Sequence, residues 1–285
     1  MSREADILAL RPLLEGVEAR LDRNARVASD PVRFPRRYTD PVDQEIAGFV
    51  ASAFAYGRVT LFLPVLDAIF AVLDARGGPA AFTRSFDPRD PDPFVGLYYR
   101  FYAGSDLVLL FAALRIRLER APTLEPGPGP VADALDRFVV DLRVAAVDAA
   151  ARWDLPSASP PGFRYMAASP GDGSASKRLN LWVRWMVRSD AVDLGVWTRL
   201  RPRDLVIPLD THVARISRFL GLTARKDTSW RTAAEVTAAL AVLDPEDPVR
   251  YDFALAHLGI SGSCLGYRAI DVCAACPLDP ACRAG

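Results

Sequence analysis

Four cysteines constrain the end of this chain more than any other feature of its sequence. They are the only cysteines present, and they follow one another as Cys264-x8-Cys273-x2-Cys276-x5-Cys282. Thiols gathered this closely are typical of a ligand set around one metal centre. A disulfide framework would need an oxidising compartment, and the N-terminal stretch MSREADILAL has no basic-then-apolar signal segment. The spacing therefore predicts a metal-bound loop at the C-terminal end.

The type of metal centre follows from the spacing between the cysteines. Zinc sites usually pair two short Cys-x2-Cys units, whereas this chain has one such unit, two longer arms, and Pro277 directly after Cys276. A compact four-thiolate loop with a Cys-Pro step is closer to the ligand set of an iron–sulfur cluster. We therefore expect a 4Fe-4S cluster, with zinc as the alternative and unligated thiols as a third possibility. Either metal can serve to hold the loop without taking part in a reaction.

Composition places few limits on the function. The chain has 285 residues, of which 51% are hydrophobic and 25% charged, as expected for a globular protein of one large or two small domains. The longest apolar run, Leu107–Leu114, is far too short to span a bilayer. These features predict a cytoplasmic protein with no membrane partner.

Positive charge is concentrated in one part of the chain, although the net charge is zero. Residues 177–231 contain twelve basic and five acidic residues, a local balance of +7. Such a segment can present a basic face to nucleic-acid phosphates. Solvated helix faces explain the same charge equally well.

Lysine is rare in this chain. Of 35 basic residues only Lys177 and Lys226 are lysine. A partly desolvated lysine can lose its proton and act as a nucleophile, which arginine cannot do. Lys226 lies in a polar stretch that predicts a loop, so Lys177 is the candidate nucleophile, with retention by chance as the competing explanation.

The hydrophobic pattern predicts an all-α fold. Apolar residues recur at helical spacing along most of the chain, and proline- and glycine-rich breaks over residues 121–130 and 153–176 predict loops. No segment alternates convincingly as a strand would. The predicted helices cover about 5–22, 41–55, 59–75, 94–102, 105–120, 131–151, 177–188, 211–220, 230–243 and 248–258.

Two helix starts carry the candidate site residues. The turn before Lys177 contains Gly171 and Gly173, and a glycine-bearing turn that opens into a helix can bind a phosphate through backbone N–H groups. Asp210 stands where an N-cap belongs, and the helix N-terminus favours its negative charge. A capping aspartate is held rigidly, so it can also face a positive reaction centre. His212 is expected only to pack or to form a hydrogen bond.

The order of these motifs resembles that of the helix-hairpin-helix DNA glycosylase superfamily, the endonuclease III-like enzymes. Leu209-Asp-Thr-His-Val213 is similar to their Val-Asp-Thr-His motif, Lys177 falls where their hairpin carries a Schiff-base lysine, and the tail resembles their four-cysteine iron–sulfur loop. A bacterial and archaeal branch of undefined function is closer still. Its likeness is carried by four segments, Asp43–Ile46, Ala55–Arg58, Lys177–Arg188 and Ile207–Leu222.

The resemblance implies a two-lobed helical fold with a C-terminal metal-cluster loop. Residues 40–200 would form one lobe with the hairpin and Lys177, and residues 1–39 with 201–285 would form the other, with Asp210 and the cysteines. It also implies a monomer acting on double-stranded DNA that carries a damaged base or an abasic site. Lys177 and Asp210 would be catalytic. The implied nucleic-acid contacts are Tyr56, Arg58, Gly171, Gly173, Arg178, Arg184, Arg188 and Arg215.

Three features depart from the usual family pattern. The separation of 33 residues between Lys177 and Asp210 is longer than in the typical enzyme, the hairpin carries Asp172 and extra residues, and the first cysteine gap is wider. These differences leave the substrate open. The alternatives are a DNA- or RNA-structure-binding protein on the same fold and a metal-stapled interaction protein.

Overall fold

The computed structural model describes residues 3–90 and 92–284. Helices dominate it, as the hydrophobic pattern predicts. The α-helices in this part of the chain are α1 (Arg3–Leu8), α2 (Arg11–Ala19), α3 (Arg23–Ala28), α4 (Pro41–Phe54), α5 (Val59–Asp74), α6 (Pro79–Ser85), α7 (Gly104–Arg120), α8 (Val131–Trp153), α9 (Pro161–Met166), α10 (Lys177–Val187), α11 (Thr211–Phe219), α12 (Trp230–Ala241), α13 (Asp252–Ile260) and α14 (Ile270–Cys273).

Side-chain caps fix several of the helix starts. Asp40 accepts hydrogen bonds from the backbone N–H groups of the first turn of α4, with Pro41 at its first position, and Asp210 caps α11 in the same way. The Asp210 cap confirms the sequence prediction. Each satisfies amide groups that would otherwise lack a partner at a helix N-terminus.

Helix α4 is the centre of the packing. Residues 45–54 of this helix are all buried, and α10 packs along it, with α6 on another side. The close approach of α10 depends on Gly48, because a Cβ atom there would lie only 2.9 Å from the Met186 side chain and 3.0 Å from that of Trp182. Helix α7 packs along α8.

The helices near the two chain ends pack on one another. Helix α13 contacts both α11 and α2, and α12 contacts α11. Buried apolar side chains form a single cluster that extends from Ile7 to Leu278. The division into two lobes at residues 40 and 200 remains a prediction.

A buried carboxylate joins α4 to the distant parts of the chain. Glu45 accepts hydrogen bonds from the Thr123 hydroxyl, the Leu124 N–H at 2.8 Å and the Trp197 indole N–H at 2.7 Å. Burial raises the pKa of Glu45, and the three donors oppose that rise. The carboxylate thus serves as a polar anchor within the core.

Three expectations about secondary structure are wrong. The predicted helix 94–102 is replaced by a small antiparallel hairpin, β1 (Tyr98–Tyr99) and β2 (Tyr102–Ala103), because consecutive aromatic side chains favour extended backbone. The break 153–176 contains α9 and a 3₁₀ turn at Pro170–Asp172. The pattern over 5–22 is divided between α1 and α2.

Within the described residues, none of the helices combines the length and the apolar character that crossing a membrane would require.

Candidate active site

A cleft of about 270 Å³ opens beside the start of α10. Lys177 and Arg178 line it from α10. Leu209, the residue directly before Asp210, lines it as well. The remaining lining residues come from the turn after α4, from α9 and the segment between α9 and α10, from α10 itself and from the loop before α12; they are Tyr56, Tyr165, Met166, Ala168, Ser174, Ala175, Ser176, Leu179 and Thr228. Residues far apart in sequence therefore meet at the predicted nucleophile.

Lys177 occupies the first position of α10 and is partly buried. Its Nζ atom donates a hydrogen bond of 2.8 Å to the Ala55 carbonyl oxygen. Ala55 is the C-cap of α4, so the ammonium group lies at the negative end of that helix. The second lysine, Lys226, is exposed in a loop, as the sequence predicts.

Asp210 and Lys177 both influence the pKa of one buried carboxylate, that of Asp252. Burial raises the pKa of Asp252 to about 6; the Arg184 guanidinium opposes this rise, the Asp210 carboxylate adds to it, and the Lys177 ammonium lowers it. The two predicted catalytic charges therefore lie within electrostatic reach of the same side chain. Asp210 itself accepts hydrogen bonds of 2.8 Å from the N–H groups of His212 and Val213.

Aromatic side chains form one wall of the cleft. The Arg178 guanidinium stacks on the Tyr165 ring at 3.8 Å and lies 5.5 Å from the centre of the Tyr56 ring. It also donates a hydrogen bond of 2.7 Å to the Tyr102 hydroxyl. Burial raises the pKa of Tyr56 to about 12, which keeps its phenol neutral. Arg58 is exposed at the start of α5.

The turn before α10 does not present its glycine amides freely. The Gly171 N–H donates to Asp136 Oδ1 at 2.8 Å, and the Gly173 N–H donates to the Pro170 carbonyl at 2.9 Å. Asp172 pairs with Arg143. The expectation that these two amides are open to a phosphate is wrong for this conformation, because carboxylate and carbonyl oxygens already satisfy them.

The prediction that Arg184 and Arg188 contact phosphates is also wrong, because both side chains are buried. Arg184 is only 2% exposed and pairs with Asp193 at 3.1 Å and with Asp252. Arg188 is buried among Asp190, Asp193 and Asp247. Helical spacing places both on one face, but that face points into the protein, where the carboxylates compensate the two buried cations.

Arg215 faces the cysteine loop rather than the cleft. Its guanidinium lies so close to Gly266 that a Cβ atom there would be 2.5 Å from Arg215 Cζ. Its Nη2 atom is 3.4 Å from His212 Nδ1, and the backbone of Gly259 packs against the His212 ring. The expectation that His212 packs or forms a hydrogen bond is confirmed.

All four cysteines line one apolar cavity beside the end of α11. The pKa of Cys276 is raised by burial and, in smaller part, by the other three cysteines, so each of them lies within electrostatic reach of it. The Ala269 N–H points at Cys273 Sγ at 3.5 Å, the kind of contact that tunes a sulfur ligand. Apolar walls come from Ile216, Leu220, Leu258 and Leu278.

Four thiols are ligands that a sulfur-bound metal centre could use, but the part of the chain that the structure describes does not arrange them as one. In the described residues, no group of three or more His, Cys, Asp or Glu side chains is arranged to hold one metal ion. A single zinc ion needs its thiolates about 2.3 Å from one point, whereas each cysteine of a cluster binds a different iron.

Sequence reasoning missed several residues of this region. Tyr165 lines the cleft, Tyr99 and Tyr102 pack against the Tyr56 ring, and Asp252 is the buried carboxylate whose pKa both candidate catalytic residues influence. The aromatic run over residues 98–102 was the available signal for the first two. Nothing in the local pattern marks Asp252, because its importance arises only from packing.

Comparison with known families matches residues 30–261 to one family model. The chain belongs to the family described as "Protein of unknown function (DUF2400)". The DUF2400 match includes the cleft, with Tyr56, Lys177 and Asp210, and ends before Cys264. Comparison with curated proteins and with solved structures gives no match.

Proposed function

We propose that this protein is a DNA glycosylase with lyase activity that removes a damaged base, with an oxidised base as one candidate. One observation carries the proposal. Lys177 at the start of α10 and Leu209, the residue directly before Asp210 at the start of α11, line one cleft. A nucleophilic amine beside a rigid carboxylate is the pair that such a reaction requires.

The chemistry assigns a separate role to each side chain. As the bond between the sugar C1′ and the base breaks, its electrons leave with the base and positive charge develops on the sugar. The Asp210 carboxylate stabilises this charge. The Lys177 nitrogen, after losing a proton, bonds to C1′ in place of the departing base. The C1′–O4′ bond of the sugar ring then breaks, O4′ takes up a proton, and the bond between nitrogen and C1′ becomes an imine. Loss of a proton from C2′ of this imine breaks the C3′–O bond, and the phosphate oxygen leaves with the electron pair.

The target base must leave the duplex stack before it can enter the cleft. Tyr56 lines the cleft and offers an aromatic face to that base. Arg178 in the cleft and Arg58 on the exposed turn next to it are the proposed phosphate contacts. Arg215 is farther along α11 against the cysteine loop, where it would contact DNA only at the edge of the interface.

The same proposal includes a 4Fe-4S cluster held by Cys264, Cys273, Cys276 and Cys282, with zinc as the alternative. The cavity that these residues share supports it. The cluster would hold the C-terminal loop against α11, and the proposed base excision involves no step at the metal. We further propose a monomer that acts in the cytoplasm on double-stranded DNA.

A second candidate function is favoured by a specific contact. The hydrogen bond from Lys177 Nζ to the Ala55 carbonyl is what a lysine with a purely structural role would make. On this alternative the protein binds DNA or RNA structures without excising a base. A metal-stapled interaction protein is the third candidate, and salt-dependent binding of nucleic acid would separate it from the second.

Borohydride trapping tests the proposed function directly. Duplexes carrying an abasic site or an oxidised guanine are incubated with the native protein, Lys177→Ala or Lys226→Ala. We expect a covalent adduct that is lost only in Lys177→Ala, because Lys226 is exposed in a loop outside the cleft residues. An adduct that persists in Lys177→Ala would refute the assignment of the nucleophile. No adduct on any duplex would favour the binding protein or excision without an imine.

A further inference from the structure

The β1–β2 hairpin carries exposed aromatic side chains at the edge of the cleft. Tyr98 is 73% exposed and Phe101 is 61% exposed, whereas Tyr99 and Tyr102 are buried. The Phe101 ring lies nearly parallel to that of Tyr56, with centroids 6.3 Å apart. It also meets the Tyr165 ring edge-on at 5.2 Å. The exposed rings therefore continue the aromatic wall of the cleft outward. A grouped apolar patch of this kind marks a contact surface.

Hydrogen bonds hold this hairpin in place. The Tyr99 hydroxyl donates to the Tyr56 carbonyl at 2.5 Å, and the Tyr102 hydroxyl donates to the Ala53 carbonyl at 2.9 Å. The Asp106 carboxylate accepts from the N–H groups of both Ala103 and Phe163. The hairpin is thus tied to α4 and α9. An aromatic side chain on a fixed support loses little freedom when it binds a partner.

The two-residue turn of the hairpin is unusual. Arg100 has a φ of +54°, a backbone conformation that glycine adopts at lower cost. Strained residues of this type concentrate at functional sites. The guanidinium of Arg100 lies 5.5 Å from the centre of the Tyr56 ring. Gly57 leaves room for it, because a Cβ atom there would lie 2.7 Å from Arg100 Nη1.

Unpaired positive charge surrounds the aromatic rings. The cations here are Arg58, Arg100, Lys177 and Arg178; in residues 3–90 and 92–284 none of them has a carboxylate oxygen within 4.0 Å. By contrast, six of the twelve basic residues between 177 and 231 are paired with carboxylates. Aromatic faces next to unpaired cations are the combination that binds unstacked bases and their phosphates.

We propose that the Arg100–Phe101 tip, with Tyr98, is a base-stacking wedge. Phe101 and Tyr98 would stack on bases beside an opened position in DNA, and Arg100 would contact an adjacent phosphate. The occupant is an unstacked nucleobase at a helix defect. This inference rests on the proposed function, since it requires that the cleft binds nucleic acid.

The test measures binding to a duplex that contains a stable tetrahydrofuran abasic analogue flanked by 2-aminopurine. This analogue cannot form an imine, so binding is separated from catalysis. Full-length native protein, Phe101→Ala and Phe101→Tyr are compared, with Val147→Ala on α8 as a control of similar exposure, 58%. We expect Phe101→Ala to lose between about 5-fold and about 150-fold in affinity, the contribution of one base–aromatic stack. Phe101→Tyr should bind like the native protein, as should the control.

The fluorescence and the oligomeric state complete the test. Native protein should change the 2-aminopurine emission, and Phe101→Ala should not. Equal affinities for native protein and Phe101→Ala, or no binding by the native protein, would overturn the wedge. A concentration-dependent dimer that Phe101→Ala abolishes would also overturn it, because a second copy would then be the occupant. A borohydride adduct together with an unaffected Phe101→Ala would reject the wedge alone and leave the proposed function standing.

Discussion

The Nζ atom of Lys177 lies 2.8 Å from the carbonyl oxygen of Ala55, which ties the first residue of α10 to the end of α4. A second link runs parallel to it, since Arg178 binds the Tyr102 hydroxyl, which in turn donates to the Ala53 carbonyl. The amine is therefore positioned by α4, whose residues 45–54 are all buried. In the proposed reaction this hydrogen bond must break, so that the amine can release a proton and reach the sugar.

Replacing Lys177 with arginine should separate its two roles. Arginine can still donate to the Ala55 carbonyl and keeps the positive charge, but it cannot form an imine. We expect the borohydride adduct to fall at least about 100-fold, while DNA affinity stays within about 3-fold of the native value. Trapping and fluorescence anisotropy measure the two quantities. An arginine variant that still forms the adduct would show that another amine is the nucleophile.

The sequence predicted the parts of this site that depend on local rules. The cap at Asp210 and the start of α10 follow from helical spacing and helix-terminal chemistry. The burial of Arg184 did not follow, because helical periodicity shows that residues share a face but not what covers that face. Its carboxylate partner Asp252 is 68 residues away in sequence, and only tertiary packing brings the two together.

Asp210→Asn should separate capping from catalysis. Asparagine accepts the same backbone hydrogen bonds at an N-cap but carries no negative charge. The free energy of unfolding should change by less than about 1 kcal/mol, whereas adduct formation should slow about 100-fold or more. Asp40→Asn is the matched control, because Asp40 caps α4 in the same way and the helix length places it about 20 Å from Ala55. Equal rates for both variants would remove Asp210 from the mechanism.

Two arginine variants should have opposite effects. Arg184→Ala leaves the buried Asp193 and Asp252 without their shared cation, so we expect it to lower the free energy of unfolding by about 3–5 kcal/mol. Arg58→Ala removes an exposed side chain and should change stability by less than about 0.5 kcal/mol. It should instead weaken DNA binding and reduce the salt slope by about one. Urea unfolding and salt titration of the affinity measure these effects.

Asp252 should make stability depend on pH in the mildly acidic range. Its pKa is raised to about 6 in the folded protein, chiefly by burial, from about 3.9 in an unfolded chain. Protonation therefore favours the folded state, and the stability linked to this group is fully present below pH 4 and lost as pH rises through 6.

The pH effect can be isolated with Asp252→Asn, which cannot ionise. The unfolding free energy of the native protein minus that of this variant should fall as pH rises from 4 to 6 and then stay constant. Urea unfolding at each pH measures both values. Asp227→Asn provides a control, because the pKa of Asp227 is lowered by hydrogen bonds from Ser229 and Thr232. A pH-independent difference for Asp252→Asn would show that this carboxylate does not titrate near pH 6.

Loss of one cysteine should remove the proposed metal centre and destabilise α11. Ile216 and Phe219 of α11, with Leu220 directly after the helix, line the same cavity as the four cysteines. The Arg283 N–H also donates a hydrogen bond of 2.9 Å to the Phe219 carbonyl. Because Asp210 caps the other end of this helix, we expect Cys276→Ser to lower both stability and adduct formation.

Analysis of iron, acid-labile sulfide and zinc tests for the proposed metal centre directly. Native protein should contain about four iron and four acid-labile sulfide per chain, and Cys276→Ser should lose most of both. Ser263→Ala is the control, since Ser263 lines the same cavity without a thiol. Zinc without sulfide in the native protein would indicate a single zinc ion instead of a cluster. In that case Cys276→Ser should lose the zinc. A native protein with neither metal would contradict the proposal that a metal holds the C-terminal loop against α11. Any effect of Cys276→Ser on α11 would then arise from packing of the cysteine side chains alone.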